Sequence, residues 1–283
     1  MSEWTITGSE GLPIHGETHT PEGTPRGVAI VVHGFMGTKD RNIIPAISMQ
    51  LHSMGMIVHR FNLAHAGVEK DADTITRLDE FERDSWRFTH EDVNHVRRAI
   101  ESGEIAGAGL PQILIGHSRG GGAVVGYAGR SRKEGWAEPD AVVSLSGIGW
   151  YSAMRDDVRS QLREKGAYEV ESTRAEGGKV RCGPSWYAEH DEETDVFAED
   201  AALVRRPVLL LHGEADDSVP MSHPERVKEL LESGDCPRAE LVTIPDADHN
   251  FNSKGVGLDR ENLRTPEVEK AGEAIAAFLE SVH

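Results

Sequence analysis

The run ILIGHSRGGGAVVGYAG, from Ile113 to Gly129, narrows the possible folds of this chain more than any other stretch. An apolar strand stops at Gly116, and glycine returns at Gly120, Gly121 and Gly122 with the polar Ser118 between. Strand interiors favour β-branched bulk and helix interiors favour alanine and leucine, so glycine on both sides of one polar residue marks a sharp backbone bend. The run from Arg119 to Arg130 is compatible with a helix. A strand that turns directly into a helix through one residue crowds the residues two positions away on either side, and only glycine fits there. Ser118 is then presented at a helix N-terminus, where free N–H groups favour developing negative charge.

The rest of the chain repeats the same rhythm of short apolar runs and helical stretches. Trp4–Thr7 and Leu12–Glu17 read as a hairpin. Buried-type strands follow at Val28–Val32, Ile57–Phe61, Ile113–Ile115, Val142–Leu145, Val208–Leu211 and Leu241–Ile244. Short apolar runs bounded by turn residues are the mark of strands covered on both faces. Helices are expected at Asn42–Ser53, Glu82–Ile100, Asp156–Lys165, near Ser222 and at Val268–Val282, each with apolar residues at helical spacing. Alternation of this kind predicts an α/β fold with a mostly parallel eight-stranded sheet flanked by helices. One connection breaks the pattern. Residues 146–207 separate two strands, where about 2–6 residues are usual. The expected organisation is therefore a core of 1–147 and 207–283 with an inserted cap or lid at 148–206. Its aromatics Trp150, Tyr151, Trp186 and Tyr187 are candidates for a substrate pocket or for the cap's own small core.

Charge excludes several functions. With 48 acidic against 30 basic residues the formal net charge is −18, which disfavours nucleic acid and anionic membrane surfaces as partners. No apolar run approaches the roughly 20 residues of a membrane span, and the first residues lack the pattern of a secretory signal. A cytoplasmic protein is expected. Two cysteines, Cys182 and Cys236, cannot build a disulfide framework or a zinc site and are expected to be free.

A serine hydroxyl needs a base, usually histidine oriented by a carboxylate, to act as a nucleophile. In a sheet of this kind those partners follow the serine at later strand ends, acid before histidine. HGEADDSVP follows Leu211 and PDADHNF follows Ile244, so His249 is the expected base. Asp216 is the preferred acid, with Asp217 and Glu214 as alternatives that spacing from the strand end does not separate. His33, His117 and His212 are expected to shape turns beside strand ends, and Asp246 and Asp248 to be loop residues. Acyl transfer also needs an oxyanion hole. The backbone N–H groups of Arg119, after the serine, and Phe35, in the loop HGFMG after Val32, are the expected donors.

Taken together, VVHGFMG, GHSRGG, LHGEADDSVP and DADHNF resemble the α/β-hydrolase superfamily over nearly the whole chain. The pattern HG-x-x-D-x-x-VP of that family puts the catalytic acid at Asp216. HGF-x-G together with a long insertion after the sixth strand resembles the cinnamoyl/feruloyl-type esterases and the serine aminopeptidase-like group. FNLAHAG places Ala64 and Ala66 around His65 where those relatives have G-H-G, and Arg119 is unusual after the nucleophile. The resemblance implies a serine hydrolase that cleaves small-molecule carboxylic esters through Ser118, His249 and Asp216, without metal or organic cofactor. An amidase or peptidase with the same residues is the alternative, and a non-catalytic binding protein on the same scaffold a further one. The sequence fixes neither the substrate nor the oligomeric state.

Overall fold

The computed structural model describes residues 1–151, 155–189, 195–253 and 263–282. Eight strands form one sheet: β1 (Ser2–Thr7), β2 (Pro13–His19), β3 (Gly27–Val32), β4 (Met56–Asn62), β5 (Gln112–His117), β6 (Ala141–Leu145), β9 (Val208–Gly213) and β10 (Ala239–Ile244). Their order is β1-β2-β4-β3-β5-β6-β9-β10. The β1–β2 and β2–β4 pairs are antiparallel, and every pair from β4–β3 onward is parallel. All eight expected strands are present, each within a residue or two of its predicted place.

Alternation along the parallel strands divides the core in two. Val28, Ile30, Val32, Leu114, Val142 and Leu210 face α3 (Trp86–Glu101) and α4 (Arg119–Glu134). Ala29, Val31, Ile115, Val143, Leu209 and Leu211 face α1 (Ile44–Ser53) and α8 (Pro266–Ser281). The strands are therefore apolar on both faces, as helix-covered strands must be.

Two helices start elsewhere than the periodicity suggests. Asn42 lies at φ 55°, outside the helical region, so α1 begins at Ile44 with a proline in its first turn. The run Glu82–Ile100 is split into α2 (Leu78–Glu82) and α3. Ser85 is the reason: its side chain accepts the Phe88 N–H at 3.0 Å and caps α3.

Between β6 and β9 the chain adds α5 (Asp156–Lys165), an antiparallel hairpin of β7 (Tyr168–Glu171) and β8 (Lys179–Cys182), and α6 (Val196–Ala202). This insertion is tied to the segment after β4. The Ile75 N–H donates to Arg174 O at 2.8 Å and the Glu176 N–H to Ile75 O at 2.9 Å. The Gly183 N–H donates to Glu82 O and the Trp186 Nε1–H to Phe81 O, both at 2.9 Å. At its far end the buried Asp200 of α6 takes a hydrogen bond from the Tyr151 hydroxyl (2.7 Å) and pairs with Arg130 of α4 (2.9 Å). Of the acidic run Glu189–Asp200, residues 190–194 lie outside the described residues.

Candidate active site

Ser118 sits between β5 and α4 at φ 57°, ψ −120°, a conformation that costs a non-glycine residue about 1–3 kcal/mol. Its neighbours hold it there. The Ser118 N–H donates to Leu145 O at 2.9 Å, and its carbonyl accepts from Gly122 N–H at 3.2 Å and Ile148 N–H at 3.3 Å. The glycines are required by contact: a Cβ on Gly116 would lie 2.1 Å from Gly120 O, and one on Gly120 would lie 2.5 Å from Val32 O. Because α4 starts at Arg119, the first amides of the helix have no carbonyl within it.

The second strand end carries Asp216. Asp216 Oδ1 accepts from the backbone N–H of Ser218 (3.0 Å) and Val219 (2.9 Å). Its carboxylate also accepts from His249 Nδ1, at 2.9 Å to Oδ2 and 3.1 Å to Oδ1. The Asp216 side chain is fully buried, whereas that of His249 is 17 % exposed. Burial works to raise the Asp216 pKa, but the His249 and Val219 hydrogen bonds outweigh it and hold the group at about 2. A carboxylate can only accept, so Nδ1 carries the proton and the neutral imidazole keeps its Nε2 lone pair free. Glu214 instead accepts from the Thr243 hydroxyl, and Asp217 from the adjacent Ser218 hydroxyl. Asp248 accepts from the Asn250 and Asn252 amides and shapes the loop around His249.

The third strand end is the loop after β3. The Gly37 N–H donates to Gly34 O at 3.0 Å, closing a turn over Phe35 and Met36 with Met36 at φ 50°. That hydrogen bond leaves the Phe35 amide outside the turn's own pairing. Gly34 lies against the nucleophile turn, where a Cβ would sit 2.9 Å from Ser118 Cβ.

These ends meet at a cavity of about 340 Å³ bordered by Phe35, Ser118, Arg119 and His249. Apart from Ser218 its remaining wall is mostly apolar and includes Trp186 and Tyr187, two of the aromatics expected there. Trp150 and Tyr151 do not line it. Tyr151 is buried against Trp86, its ring edge-on to Phe197 and its hydroxyl spent on Asp200. Trp150 faces outward, packed on His223 and Arg226. Three wall residues that sequence reasoning missed, Tyr168, Val170 and Cys182, come from one face of the β7–β8 hairpin, where Tyr168 pairs with Cys182. Their signal was alternation within YEVE and KVRC, too short to stand out. Trp86, at the start of α3, lines the cavity as well.

Arg119 has a second role in this wall. Its guanidinium lies 4.6 Å from the ring centroids of both Trp86 and Trp186 and pairs with the buried Asp84 at 3.0 Å. Cys182, buried beside it, has its thiol pushed up to about 12 by burial and stays protonated. Cys236 is also a free thiol.

A mostly parallel sheet with a strained serine turn after its fifth strand, and with acid and histidine loops after the last two, is the α/β-hydrolase fold. The chain has this fold, and the curated proteins it resembles include a thioesterase and a lipase. Residues 166–265 match the prolyl oligopeptidase family. The chain is 24% identical over 233 residues to the mitochondrial palmitoyl-protein thioesterase ABHD10 of Bos taurus, covering 80% of this chain and 67% of that protein. It is 29% identical over 129 residues to a monoacylglycerol lipase of Mycolicibacterium smegmatis, covering 46% of this chain and 42% of the lipase. Among solved structures, Est1E from Butyrivibrio proteoclasticus superposes with a TM-score of 0.67 at 18% identity, over 100% of this chain and 99% of that one. No helix among the described residues is long and apolar enough to cross a membrane.

Proposed function

We propose that this chain is a serine hydrolase of small carboxylic esters or thioesters, working through Ser118, His249 and Asp216. The observation that carries the reading is the pairing of a strained, cavity-facing Ser118 with a His249 whose Nδ1 is committed to Asp216. His249 Nε2 takes the Ser118 proton as Oγ attacks the acyl carbon, and the buried Asp216 stabilises the resulting imidazolium. The Phe35 and Arg119 amides receive the oxyanion. His249 returns its proton to the departing alcohol or thiol, and a water deprotonated by the same residue releases the acid. The insertion acts as a fixed cap whose hairpin forms the acyl-side wall. The apolar lining suits an uncharged acyl group. The names of the relatives, a thioesterase, a lipase and a structure described with ferulic acid bound, agree with acyl–oxygen or acyl–sulfur chemistry. The match to the prolyl oligopeptidase family favours amide cleavage as the second reading. The proposed location is the cytoplasm, although the bovine relative is named as mitochondrial.

The test is hydrolysis of p-nitrophenyl esters of increasing acyl length, with matched thioesters and anilides, by the wild type and by Ser118→Ala. Turnover of esters or thioesters should fall at least ~10⁴-fold in the variant. Retained turnover would overturn the mechanism, and preference for anilides would favour a peptidase. Asp216→Asn should lower kcat by roughly 10³- to 10⁴-fold, and Asp217→Asn by less than about twofold. The reverse order would show that Asp217 is the acid.

A further inference from the structure

Each strand end that carries the site also carries a buried histidine. His33 follows β3, His117 ends β5 and His212 lies near the end of β9, and none is more than 4 % exposed. Each gives one ring N–H to a backbone carbonyl, since a carbonyl can only accept. His33 Nδ1 donates to Gly34 O at 2.9 Å, while its Nε2 accepts from the Leu63 N–H at 3.1 Å. His212 Nε2 donates to Val219 O at 2.8 Å, inside the acid loop. His117 reaches furthest. Its Nε2 donates at 2.8 Å to the carbonyl of His249, 132 residues along the chain, and the two rings lie 4.8 Å apart.

This contact is unlike the other two because it joins the nucleophile's own neighbour to the base. His249 lies beyond the end of β10, on a loop tied to the acid loop by the Ala215 N–H, which donates to Ala247 O at 3.0 Å. Its side chain is tied to Asp216 as well. Both of those ties run to the acid side of the site. The bond from His117 is a tie on the nucleophile side, and a residue fixed at only one side can pivot. We propose that His117 is a positioning residue for His249, registering the base against Ser118 through a hydrogen bond from its Nε2 to the His249 carbonyl. The inference rests on the reading of His249 as the base.

A neutral donor suits that task. Burial, reinforced by the nearby His249, holds the His117 imidazole down at about 3, so it stays uncharged beside a partner that becomes an imidazolium during the reaction. A cationic residue at 117 would reach the same carbonyl while opposing that charge. Nδ1 of His117 has no hydrogen-bond partner among the described residues, where the ring's polar contact is the bond to His249.

The experiment compares wild type, His117→Leu and His117→Gln. It reads kcat and KM on the best p-nitrophenyl ester, the rate of Ser118 labelling by a fluorophosphonate, and the urea midpoint. His117→Leu keeps apolar bulk and loses the donor. It should lower kcat and the labelling rate by roughly 10- to 100-fold with KM within twofold, the scale expected for a misplaced catalytic group. His117→Gln restores an N–H at similar reach and should recover most of that loss. A folded Leu variant with wild-type kcat, or a Gln variant no better than Leu, would overturn the inference. A proton NMR signal for His117 Nε2–H, slow to exchange in the wild type, supports it even if the Leu variant does not fold. A ring protonated on Nδ1 instead would refute it. If wild type fails to label at all, the proposed function falls first. If it labels and the Leu variant labels equally fast, only the positioning role falls.

Discussion

The sheet's C-terminal edge and the insertion above it are held by different mixes of contacts. At the edge, the strained serine and the two loops are fixed by backbone amides and neutral imidazoles that carry no net charge. The insertion adds ion pairs to the hydrogen bonds that tie it at Ile75, Phe81 and Glu82: Arg130 to Asp200 and Glu189, Arg181 to Glu82, and Lys133 to Asp200. Uncharged hydrogen bonds keep a fixed geometry at modest desolvation cost, which suits groups that must stay within a fraction of an ångström of each other. The cost of breaking a charged pair depends on its burial. Under the proposed function the sheet carries the chemistry and the insertion contributes part of the cavity wall.

Arg119 is where the two regions meet, and breaking it should give the largest effect on stability. Its guanidinium is clasped between Trp86 of the core and Trp186 of the insertion and neutralises Asp84, which is 4 % exposed. Arg119→Met strands that carboxylate, whose pKa burial already raises. A loss of about 3–5 kcal/mol in the urea-derived stability is expected. The Asp84→Asn, Arg119→Met double variant should regain a substantial part. A double variant as unstable as the single would mean that the tryptophan stacking, not the ion pair, joins the regions.

Acid should attack the sheet edge. Burial, their largest perturbation, holds His33, His59 and His117 at about 4, 4 and 3. An unfolded histidine titrates near 6.5, so the unfolded chain binds these protons first. Their contribution is fully present above about pH 6.5 and is lost as pH falls toward 4 and below, by up to roughly 3–5 kcal/mol each. Asp92 works the other way, because burial lifts it to about 6 and the folded chain protonates first as pH falls. Burial raises Asp84 and Glu189 in the same sense, but it also lowers His90 and His212, and the imidazoles outweigh the carboxyls. Urea midpoints measured at pH 7.5, 6 and 5 should fall steadily, and a rise toward pH 5 would show that Asp92 and its like dominate. His59→Gln, away from the proposed chemistry, should flatten the slope.

How much of this was legible in the sequence follows the same division. The core strands were readable because helix-covered strands leave unbroken apolar runs such as Val28–Val32 and Val208–Leu211. The serine turn was readable because Gly116 and Gly120 are demanded by contacts under 3 Å. Spacing left Asp216, Asp217 and Glu214 open, since adjacent residues on one loop differ only in which way they face. The hydrogen bonds to His249 distinguish them. The insertion was hardest. Its strands are four residues long, and nothing in the composition of Trp150 and Tyr151 shows that one packs on Arg226 and the other inward on Asp200. Nor does helical periodicity from Glu82 to Ile100 reveal the break that Ser85 imposes.

The smallest expected effect is the one that most sharpens the contrast between the regions. Val170 borders the cavity from the hairpin, is only partly buried and makes none of the bonds that fasten the insertion. Val170→Ala removes two methyl groups from the wall while leaving Ser118, His249 and Asp216 untouched. On an acetyl ester, whose acyl group is too short to press on that wall, kcat/KM should stay within twofold of wild type. On the acyl length that wild type prefers, kcat/KM should fall by roughly 3- to 10-fold, the discrimination that one or two methyl contacts supply. The thermal midpoint should not move measurably, because a partly exposed residue loses little burial. An equal fall on every ester would mean that the hairpin supports the catalytic groups themselves. The separation of chemistry in the sheet from specificity in the insertion would then be wrong.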